Sequence, residues 1–317
     1  MHDDSTASGD RRRRHRLRLG PVQETLVIPL YGLAVETAKP RAVIRDETAV
    51  RIVDSIDYDF AKFDGGPSLL GTVLRAGILD AWTRQFLAGH PGGTVVELAC
   101  GLSSRFERVA SDRCRWLDLD LPEVIELRRR FFAETKRRRM IAASVLDDSW
   151  LDVVSANPGP YMFLADGVLS YLSAEQVHRV LQALASRYPD SLFAFDTCGR
   201  KMIGSQDRHD SLGKMTARMI WACDEPRSLE RLGLQMRESL TLNHAPRPLR
   251  ARMPHRDRLV LSAAAALNLR DFARYRVNLF RSRSSTRAFR EWGPCHRHDP
   301  EPARRPGRSG PPAGPAG

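Results

Sequence analysis

The sequence predicts an α/β protein built on a mostly parallel, doubly wound sheet whose last strand is antiparallel. Three observations indicate this fold. Between residues 93 and 200, short apolar runs alternate with helical segments, as strands do when crossover helices connect them. The runs are almost continuously apolar, which is typical of strands that helices cover on both faces. A glycine turn follows the first run, and acidic residues follow several of the others.

The chain before the sheet is predicted to form a disordered basic arm over residues 1–20 and a helical cap over residues 21–92. The arm has no apolar stretch behind its arginine cluster, so it lacks the pattern of a secretory signal. Within the cap, residues 68–89 repeat apolar side chains at the spacing of an α-helix. The His-Pro-Gly-Gly sequence at 90–93 ends this helix.

The core of the sheet is predicted within residues 93–200. Strands are expected at 94–98, 115–120, 140–144, 161–166 and 192–197. Helices are expected at 104–111, 122–138, 147–154 and 173–188. The last of these helices begins with Ser173 and Gln176, which have the spacing of a capping box.

The pattern loosens after residue 200. Residues 201–281 are predicted to cover the sheet, with a helix at 207–222 and alternating late strands at 236–242 and 274–280. Residues 282–317 are dominated by Pro, Gly and Arg and are predicted to be a disordered tail.

The net charge of +12 is concentrated at the two ends of the chain. Residues 1–20 carry six Arg and three Asp, and residues 281–317 carry eight Arg, two Glu and one Asp. The body of the chain has no dense basic stripe with interleaved aromatic residues, so we expect no nucleic-acid partner. The longest apolar run is far too short for a membrane span, so we expect no membrane partner either.

The five cysteines are scattered and form no C-x-x-C pair. This usage is typical of free thiols in a reducing compartment, and we expect a cytoplasmic protein. Cys295, His296 and His298 have the residue types of metal ligands, but no fourth ligand lies near them in the sequence. No metal site is therefore predicted.

Acidic residues stand at or just after the carboxyl ends of the predicted strands, where ligands of open parallel sheets bind. They are Glu97, Asp118, Asp120, Asp147, Asp166 and Asp196. A single acid in this position is usually a helix cap or a solvated turn residue. Acids after five strands favour a shared ligand-binding rim.

The turn after the first strand, Ala99 to Ser103, contains one glycine, Gly101. Several glycines normally bring the backbone close to the pyrophosphate of a dinucleotide. An acid, Glu97, precedes this turn and would repel a pyrophosphate, but it suits a cationic ligand. Asp118 and Asp120 lie about 20 residues after the turn, where a carboxylate accepts hydrogen bonds from ribose hydroxyls. The turn therefore fits S-adenosylmethionine better than NAD.

Six stretches of the sequence resemble a known protein family. The stretches that carry the resemblance are VLRAGILD at 73–80, VVELACGLSSRF at 95–106, WLDLDLPEVIELRRRFF at 116–132, SVLDDSWLD at 144–152, FLADGVLSYLSAEQV at 163–177 and RYRVNLF at 274–280. They are similar to the leucine carboxyl methyltransferase family of class I S-adenosylmethionine-dependent methyltransferases, and to its polyketide O-methyltransferase branch in particular. The resemblance covers about residues 22–281 and implies a Rossmann-like methyltransferase domain.

The resemblance also implies roles for single residues. Arg75 would bind the carboxylate of the methionine part of the cofactor. Glu97 and Gly101 would line the methionine part and the turn. Asp120 would hold the ribose, with Asp118 beside it on the same face of the strand. Leu146 and Asp147 would border the adenine, and Asp166 would lie near the amino group of the cofactor. Tyr171 would face the acceptor, although it fits a core position equally well.

Three residues depart from the family pattern. Ala99 and Ser103 stand where the family often has Gly and Asp, and Asp166 stands where it often has Glu. These departures keep open a non-catalytic or regulatory protein with weak cofactor binding. His209 and His244 are both candidates for a catalytic base, and the sequence does not choose between them.

The sequence thus predicts an O-methyltransferase that uses S-adenosylmethionine and forms a methyl ester on a carboxylate. That the acceptor is a small molecule of the polyketide type is implied by the resemblance alone. A carboxylate has a pKa of about 4 and needs no general base, whereas a phenol, with a pKa of about 10, does. The acids of the rim are assigned to the cofactor, and no strand ends in a histidine. This leaves a carboxylate as the preferred acceptor.

Overall fold

A computed structural model describes residues 15–254, 258–259 and 275–283, all within the compact unit Met1–Ser285. The predicted arm up to residue 14 and the tail from residue 284 lie outside the described residues, as does the metal-like group Cys295, His296 and His298. His15–Arg16, which falls within the predicted disordered arm, instead forms a short strand.

The strands, in chain order, are β1 His15–Arg16, β2 Ile56–Asp57, β3 Thr94–Leu98, β4 Arg115–Asp120, β5 Arg138–Ala142, β6 Tyr161–Ala165, β7 Leu192–Thr197, β8 Leu234–Thr241 and β9 Arg276–Ser282. The α-helices are α1 Pro21–Glu24, α2 Val27–Thr37, α3 Glu47–Ser55, α4 Ser68–Gly89, α5 Arg105–Val109, α6 Pro122–Arg128, α7 Ser149–Ser155, α8 Ala174–Arg187, α9 Arg200–Gly204 and α10 Arg247–Arg252. Short 3-10 helices lie at Ala61–Phe63, Leu169–Tyr171, Gln206–Arg208, Leu212–Lys214, Pro226–Leu232 and Leu242–His244.

The central sheet has the strand order β5-β4-β3-β6-β7-β9-β8. The first five strands are parallel to one another, and β9 runs antiparallel between β7 and β8. This confirms the predicted doubly wound sheet with an antiparallel last strand. The order reverses direction between β3 and β6, so the crossovers after these strands lie on opposite faces of the sheet.

Aromatic side chains on neighbouring strands stabilise the sheet from one side. Phe163 and Phe193 are register partners on β6 and β7, and their rings stack at 5.1 Å. Phe195 and Phe280 stack at 5.2 Å between β7 and β9. Each such pair contributes about 0.5–1.5 kcal/mol beyond the burial of its surface. These contacts attach β9 to the parallel part of the sheet.

The predicted long helix at 68–89 is confirmed as α4, and the predicted capping box at the start of α8 is present. The predicted strand at 140–144 begins two residues earlier, at Arg138, and the helix at 122–138 ends at Arg128. Two arginines explain both differences. In the sequence they suggest the polar surface of a helix, but in the structure their side chains are buried. Arg128 and Arg138 are buried, with their guanidinium groups 4.4 and 4.8 Å from the centre of the Phe132 ring.

The predicted helix at 207–222 is wrong. Two 3-10 turns are followed by an extended segment, in which every second residue from Met215 to Cys223 is buried. The segment hydrogen-bonds outside the sheet, since the N–H groups of Ile220 and Trp221 both donate to the carbonyl of Ser170. Alternating burial is the period of extended chain. In the described part of the chain, no helix is long and apolar enough to cross a membrane.

Candidate active site

A cavity of about 820 Å³ lies at the carboxyl-terminal edge of the parallel strands. One side of it is formed by residues that end or follow β3, β4, β6 and β7. The other side is formed by α2, by α4 and by residues of the segment 202–212. The cavity includes the point between β3 and β6 where the strand order reverses, which is where open parallel sheets bind ligands.

The turn after β3 adopts a left-handed backbone twice, at Ala99 with φ 47° and at Gly101 with φ 51°. Glycine takes this conformation without strain, whereas it costs alanine about 1–2 kcal/mol. Hydrogen bonds hold the turn in place. The Gly101 N–H donates to Asp120 Oδ2 at 2.7 Å, and Arg128 Nη1 donates to the Gly101 carbonyl at 2.8 Å. The glycine missing at position 99 therefore does not prevent the turn.

Asp120 ends β4 and faces the cavity. Its Oδ1 accepts a hydrogen bond from the Leu121 N–H at 2.8 Å, in addition to the bond from Gly101. Burial raises the pKa of Asp120 to about 6, in spite of these two donors. A carboxylate can accept about four hydrogen bonds, so two acceptor positions are left for a ligand.

Arg105, at the start of α5, is completely buried and is paired with three carboxylates. Its Nε donates to Asp80 at 2.8 Å, its Nη2 donates to Asp166 at 2.6 Å, and its Nη1 pairs with Glu97. Burial alone would lower the pKa of Arg105, but the three acids raise it above its ordinary value. This guanidinium joins α4, β3 and the end of β6 across the reversal point of the sheet.

Glu97 has one oxygen without a partner. Its Oε1 pairs with Arg105, whereas its Oε2 is buried and accepts no hydrogen bond from the described residues. Burial raises the pKa of Glu97, and Arg105 offsets only part of that rise. Buried polar atoms in proteins are nearly always hydrogen-bonded. Glu97 lines the cavity, and an unpaired oxygen in its carboxylate fits a ligand with a donor or a positive charge.

Arg75 lies on α4 and also lines the cavity. Its Nε pairs with Asp166 Oδ1, so that both oxygens of Asp166 are held by arginines. Burial alone would raise the pKa of Asp166, but Arg75 and Arg105 outweigh that effect and lower it. Asp166 is therefore ionised and already neutralised by its neighbours.

The structure brings most of the predicted site residues together. Those that line the cavity are Arg75, Glu97, Gly101, Asp120, Leu146, Asp166 and Tyr171. Asp118 and Asp147 do not line it.

Asp118 is fully buried and does not line the cavity. It is the register partner of Glu97, one step before Asp120 along β4. Arg138 Nε donates to its Oδ2 at 2.6 Å, and Arg128 lies 3.1 Å from its Oδ1. The carboxylate that was expected beside the ribose therefore does not line the cavity, and it serves as the counterion of two buried arginines.

Asp147 is exposed and completes its own turn. Its Oδ2 accepts a hydrogen bond from the Ser144 N–H at 3.1 Å, and its N–H donates to the Ser144 carbonyl at 3.0 Å. Leu146 lines both the large cavity and a small neighbouring pocket, whereas Asp147 lines only the small one. Leu146 is thus the member of this predicted pair that reaches the main site.

The outer half of the cavity is largely aliphatic. It is lined by residues of α1–α2 and α4, among them Leu26, Ile28, Leu30, Leu33, Leu70 and Leu74. Tyr171 lies in this half, and burial raises the pKa of its hydroxyl. His209 also lines the cavity, whereas His244 is exposed, pairs with Thr241 and lies outside it. Of the two histidine candidates, only His209 is placed at the site.

Sequence reasoning missed Arg105, Asp80 and Tyr275 as site residues. Asp80 and Arg75 are charged residues within an otherwise apolar helix, and this pattern could have indicated buried ion pairs. Arg105 stands at the start of a short helix and carries no comparable signal. Within the described ranges, no group of three His, Cys, Asp or Glu side chains is placed to hold a metal ion.

The residues present fit S-adenosylmethionine. The unpaired Glu97 Oε2 suits its positive charge, and the free acceptor positions of Asp120 suit ribose hydroxyls. Arg75 Nη2 makes no hydrogen bond to the described residues and suits a carboxylate. The fold and this site define a class I S-adenosylmethionine-dependent methyltransferase.

A sequence model of leucine carboxyl methyltransferases matches residues 27–185. The chain belongs to the leucine carboxyl methyltransferase family. The match runs from the start of α2 into α8 and includes every residue that the resemblance assigns to the cofactor or the acceptor. The dinucleotide alternative is thereby set aside.

Two curated relatives agree with this assignment. The chain is 36% identical over 234 residues to the tetracenomycin polyketide synthesis O-methyltransferase TcmP of Streptomyces glaucescens, which spans 73% of this chain and 86% of that protein. It is 30% identical over 261 residues to the S-adenosyl-L-methionine-dependent methyltransferase dpfgK of Gibberella zeae, and the alignment covers 75% of this chain and 88% of that protein.

Among solved structures, a DUF574 family protein from Streptomyces avermitilis aligns with a TM-score of 0.49 and 14% identity, over 81% of this chain and 97% of that one.

Substitution of the two aspartates of β4 should separate cofactor binding from folding. We expect Asp120→Asn to weaken binding of S-adenosylhomocysteine about tenfold or more, because the ribose loses a charged acceptor. Asp118→Asn should leave that affinity little changed but lower the free energy of unfolding by about 3–5 kcal/mol, because two buried arginines lose their counterion. Calorimetric titration and urea unfolding measure the two effects. Equal loss of affinity in a folded Asp118→Asn protein would contradict this placement.

Cofactor affinity should depend on pH through Asp120. Because its pKa in the free protein is about 6, protonation below pH 6 removes the acceptor that ribose hydroxyls need, whereas above pH 6 the carboxylate is ionised. We expect S-adenosylhomocysteine to bind up to about tenfold more weakly at pH 5 than at pH 7.5. Titrations at the two pH values test this. The Asp120→Asn variant is the control, and an equally steep pH dependence in that variant would show that another group is responsible.

Proposed function

We propose that this methyltransferase transfers the methyl group of S-adenosylmethionine to a carboxylate of a small, polyketide-type molecule and forms a methyl ester. The relative named for tetracenomycin polyketide synthesis is an O-methyltransferase, and the chain covers 86% of its length. The aliphatic outer half of the cavity suits a largely apolar acceptor. The observation that carries the choice of a carboxylate is that the described residues of the cavity include no free catalytic base.

His209 is not suited to act as a base. Its Nδ1 faces the backbone N–H groups of Ser211 and Leu212, at 3.3 and 3.2 Å. Burial lowers the pKa of His209, although Asp210 opposes the shift. The lowered pKa favours the neutral imidazole, and the two N–H groups that donate to Nδ1, which also lies 3.3 Å from Asp210 Oδ1, favour the tautomer with the proton on Nε2. In this state Nε2 can donate a hydrogen bond to an acceptor molecule but cannot take a proton from it.

The carboxylates that line the described part of the cavity are already engaged. Asp166 is held by two arginines. Glu97 pairs with Arg105 through Oε1, and its Oε2 is proposed to face the positive end of the cofactor. Asp196 accepts hydrogen bonds from Gly167 and Tyr275, and Asp210 accepts bonds from Ser68. Asp120 closes the turn after β3. An acceptor that is ionised in solution needs none of them as a base.

Arg208 provides a positive charge for such an acceptor. It lines the cavity and makes neither an ion pair nor a side-chain hydrogen bond with the described residues. A guanidinium binds a carboxylate through two parallel hydrogen bonds. The other arginines of the cavity, Arg75, Arg105 and Arg108, are paired with acids. Among the described residues that line the cavity, Arg208 is thus the cation that remains available to an acidic acceptor.

The cofactor is proposed to lie along the carboxyl ends of β3, β4 and β6. Asp120 would hold the ribose, Leu146 would contact the adenine, and Arg75 would bind the carboxylate of the methionine part. Glu97 Oε2 would face the positive end of the ligand, a role that Asp166 is too fully paired to take. Asp147, assigned to the adenine by resemblance, would act only by shaping the turn that carries Leu146.

When bound, the cofactor supplies a methyl group activated by the adjacent sulfonium. The acceptor carboxylate oxygen forms a bond to the methyl carbon while the carbon–sulfur bond breaks, and the electron pair stays on sulfur. No proton moves. The protein contributes alignment of the oxygen with the methyl group, in which Tyr171 would take part, and exclusion of water by the aliphatic half of the cavity.

The chemical stability of the product tests this proposal. We expect methyl label from S-adenosylmethionine to be transferred to members of a panel of aromatic and polycyclic carboxylic acids, and mild base to release it as methanol. The same molecules with the carboxylate already blocked as a methyl ester, and with their hydroxyls intact, should not be labelled. A label that survives mild base, or transfer to the blocked molecules, would identify an ether and reject the ester.

The role of Arg208 can be tested with the acid found in that screen. We expect Arg208→Gln to raise KM for the acid about tenfold with little change in kcat, because it removes a charged contact that is equal in the ground and transition states. Arg208→Lys should recover part of the loss. Arg227→Gln, an exposed arginine outside the cavity, is the matched control. An unchanged KM in Arg208→Gln would remove this residue from acceptor binding.

A further inference from the structure

Arg75 is held from two sides by groups that the sequence places far apart. Its Nε pairs with Asp166, which follows β6. Its Nη1 donates a hydrogen bond of 2.7 Å to the hydroxyl of Tyr275, a residue 200 positions further along the chain. Arg75 and Tyr275 both line the cavity. The orientation of the guanidinium is therefore set by more than its own helix.

The Tyr275 hydroxyl has a defined donor and acceptor. Because it accepts its first hydrogen bond from Arg75, its own proton is directed to Asp196 Oδ2, at 2.8 Å. Asp196 is 3% exposed, and its Oδ1 accepts a hydrogen bond of 2.6 Å from the Gly167 N–H. Tyr275 thus separates Arg75 from Asp196, whose Oδ2 lies 3.9 Å from Arg75 Nη1.

The register of the last strand brings Tyr275 to this position. In the antiparallel pair of β7 and β9, Asp196 lies opposite Val277 and Thr197 lies opposite Arg276. Tyr275 is the residue just before β9, at the carboxyl end of β7. A residue beyond the part of the chain matched by the family model therefore completes the surroundings of Arg75.

Gly167 lies close to the third nitrogen of the guanidinium, Arg75 Nη2, and its lack of a side chain leaves room for this atom. It has φ 74°, and a Cβ at this position would lie 2.9 Å from Arg75 Nη2. The guanidinium thus lies close against the backbone, and Nη2 makes no hydrogen bond to the described residues. With Nε and Nη1 occupied, Nη2 is the nitrogen left to bind a ligand carboxylate.

We propose that Tyr275 is a positioning residue for cofactor binding: its hydroxyl, held by Asp196, keeps Arg75 directed at the carboxylate of the methionine part. This inference rests on the proposed role of Arg75. Without the hydroxyl, Arg75 Nη1 loses its acceptor, and the uncompensated charge of Asp196 attracts the guanidinium away from the ligand. The effect is confined to ligands that carry the carboxylate.

Two ligands that differ in this group provide the test. S-adenosylhomocysteine has the amino-acid carboxylate, whereas 5′-deoxy-5′-methylthioadenosine keeps the nucleoside and the thioether but lacks it. We expect Tyr275→Phe to weaken binding of S-adenosylhomocysteine about tenfold and to leave binding of methylthioadenosine unchanged, as measured by calorimetric titration. Tyr161→Phe is the control, because it removes a tyrosine hydroxyl that donates a 2.7 Å hydrogen bond to the Asn157 carbonyl and lies outside the cavity. Its affinities for S-adenosylhomocysteine and for methylthioadenosine should both stay unchanged.

A double-mutant cycle shows whether Tyr275 acts through Arg75. In an Arg75→Ala background, Tyr275→Phe should cause no further loss of S-adenosylhomocysteine affinity. Equal weakening of both ligands, additive losses in the double variant, or no loss in Tyr275→Phe would each overturn the proposal, as would a folded wild type that binds neither ligand. Because these titrations contain no acceptor, their outcome is independent of whether the product is an ester.

Discussion

The buried guanidinium of Arg105 is the contact on which the rest of the site depends. The carboxyl ends of parallel strands collect acidic residues, and unpaired carboxylates in a protein interior repel one another and are costly to bury. Arg105 compensates three of them, from α4, β3 and the end of β6. It leaves Glu97 Oε2 without a partner. The cofactor pocket is therefore shaped by which acidic oxygens the arginines leave unpaired.

The same principle distinguishes acids that look alike in the sequence. Asp118 and Asp120 are two residues apart on β4, yet the first is the counterion of Arg128 and Arg138 and the second faces the cavity. Asp166 directly follows β6, but both of its oxygens are paired with arginines. Each acid is assigned to structure or to ligand by the cations that reach it, and these come from other elements. Among the described residues, this division leaves the site with few carboxylate oxygens that are not already paired.

Much of the fold was predictable because its signals are local. Four of the five parallel strands, the helix α4 and the capping box of α8 follow from the spacing of apolar and capping residues within short windows. The failures arose where a distant contact overrides the local pattern. Arg128 and Arg138 resemble surface residues but are buried with Asp118. The segment 215–223 alternates in burial because it packs in extended form outside the sheet.

The sequence by itself determined the doubly wound sheet, the turn at Gly101, the family and most of the residues predicted to bind the cofactor, since these follow from short stretches of the chain. Only the tertiary structure decided that Asp118 is a buried counterion, that Arg105 links the acids and that Tyr275 contacts Arg75. The physical reason is that burial and ion pairing depend on groups brought together by the sheet register. Tyr275 and Arg75, 200 residues apart, meet because β9 pairs with β7.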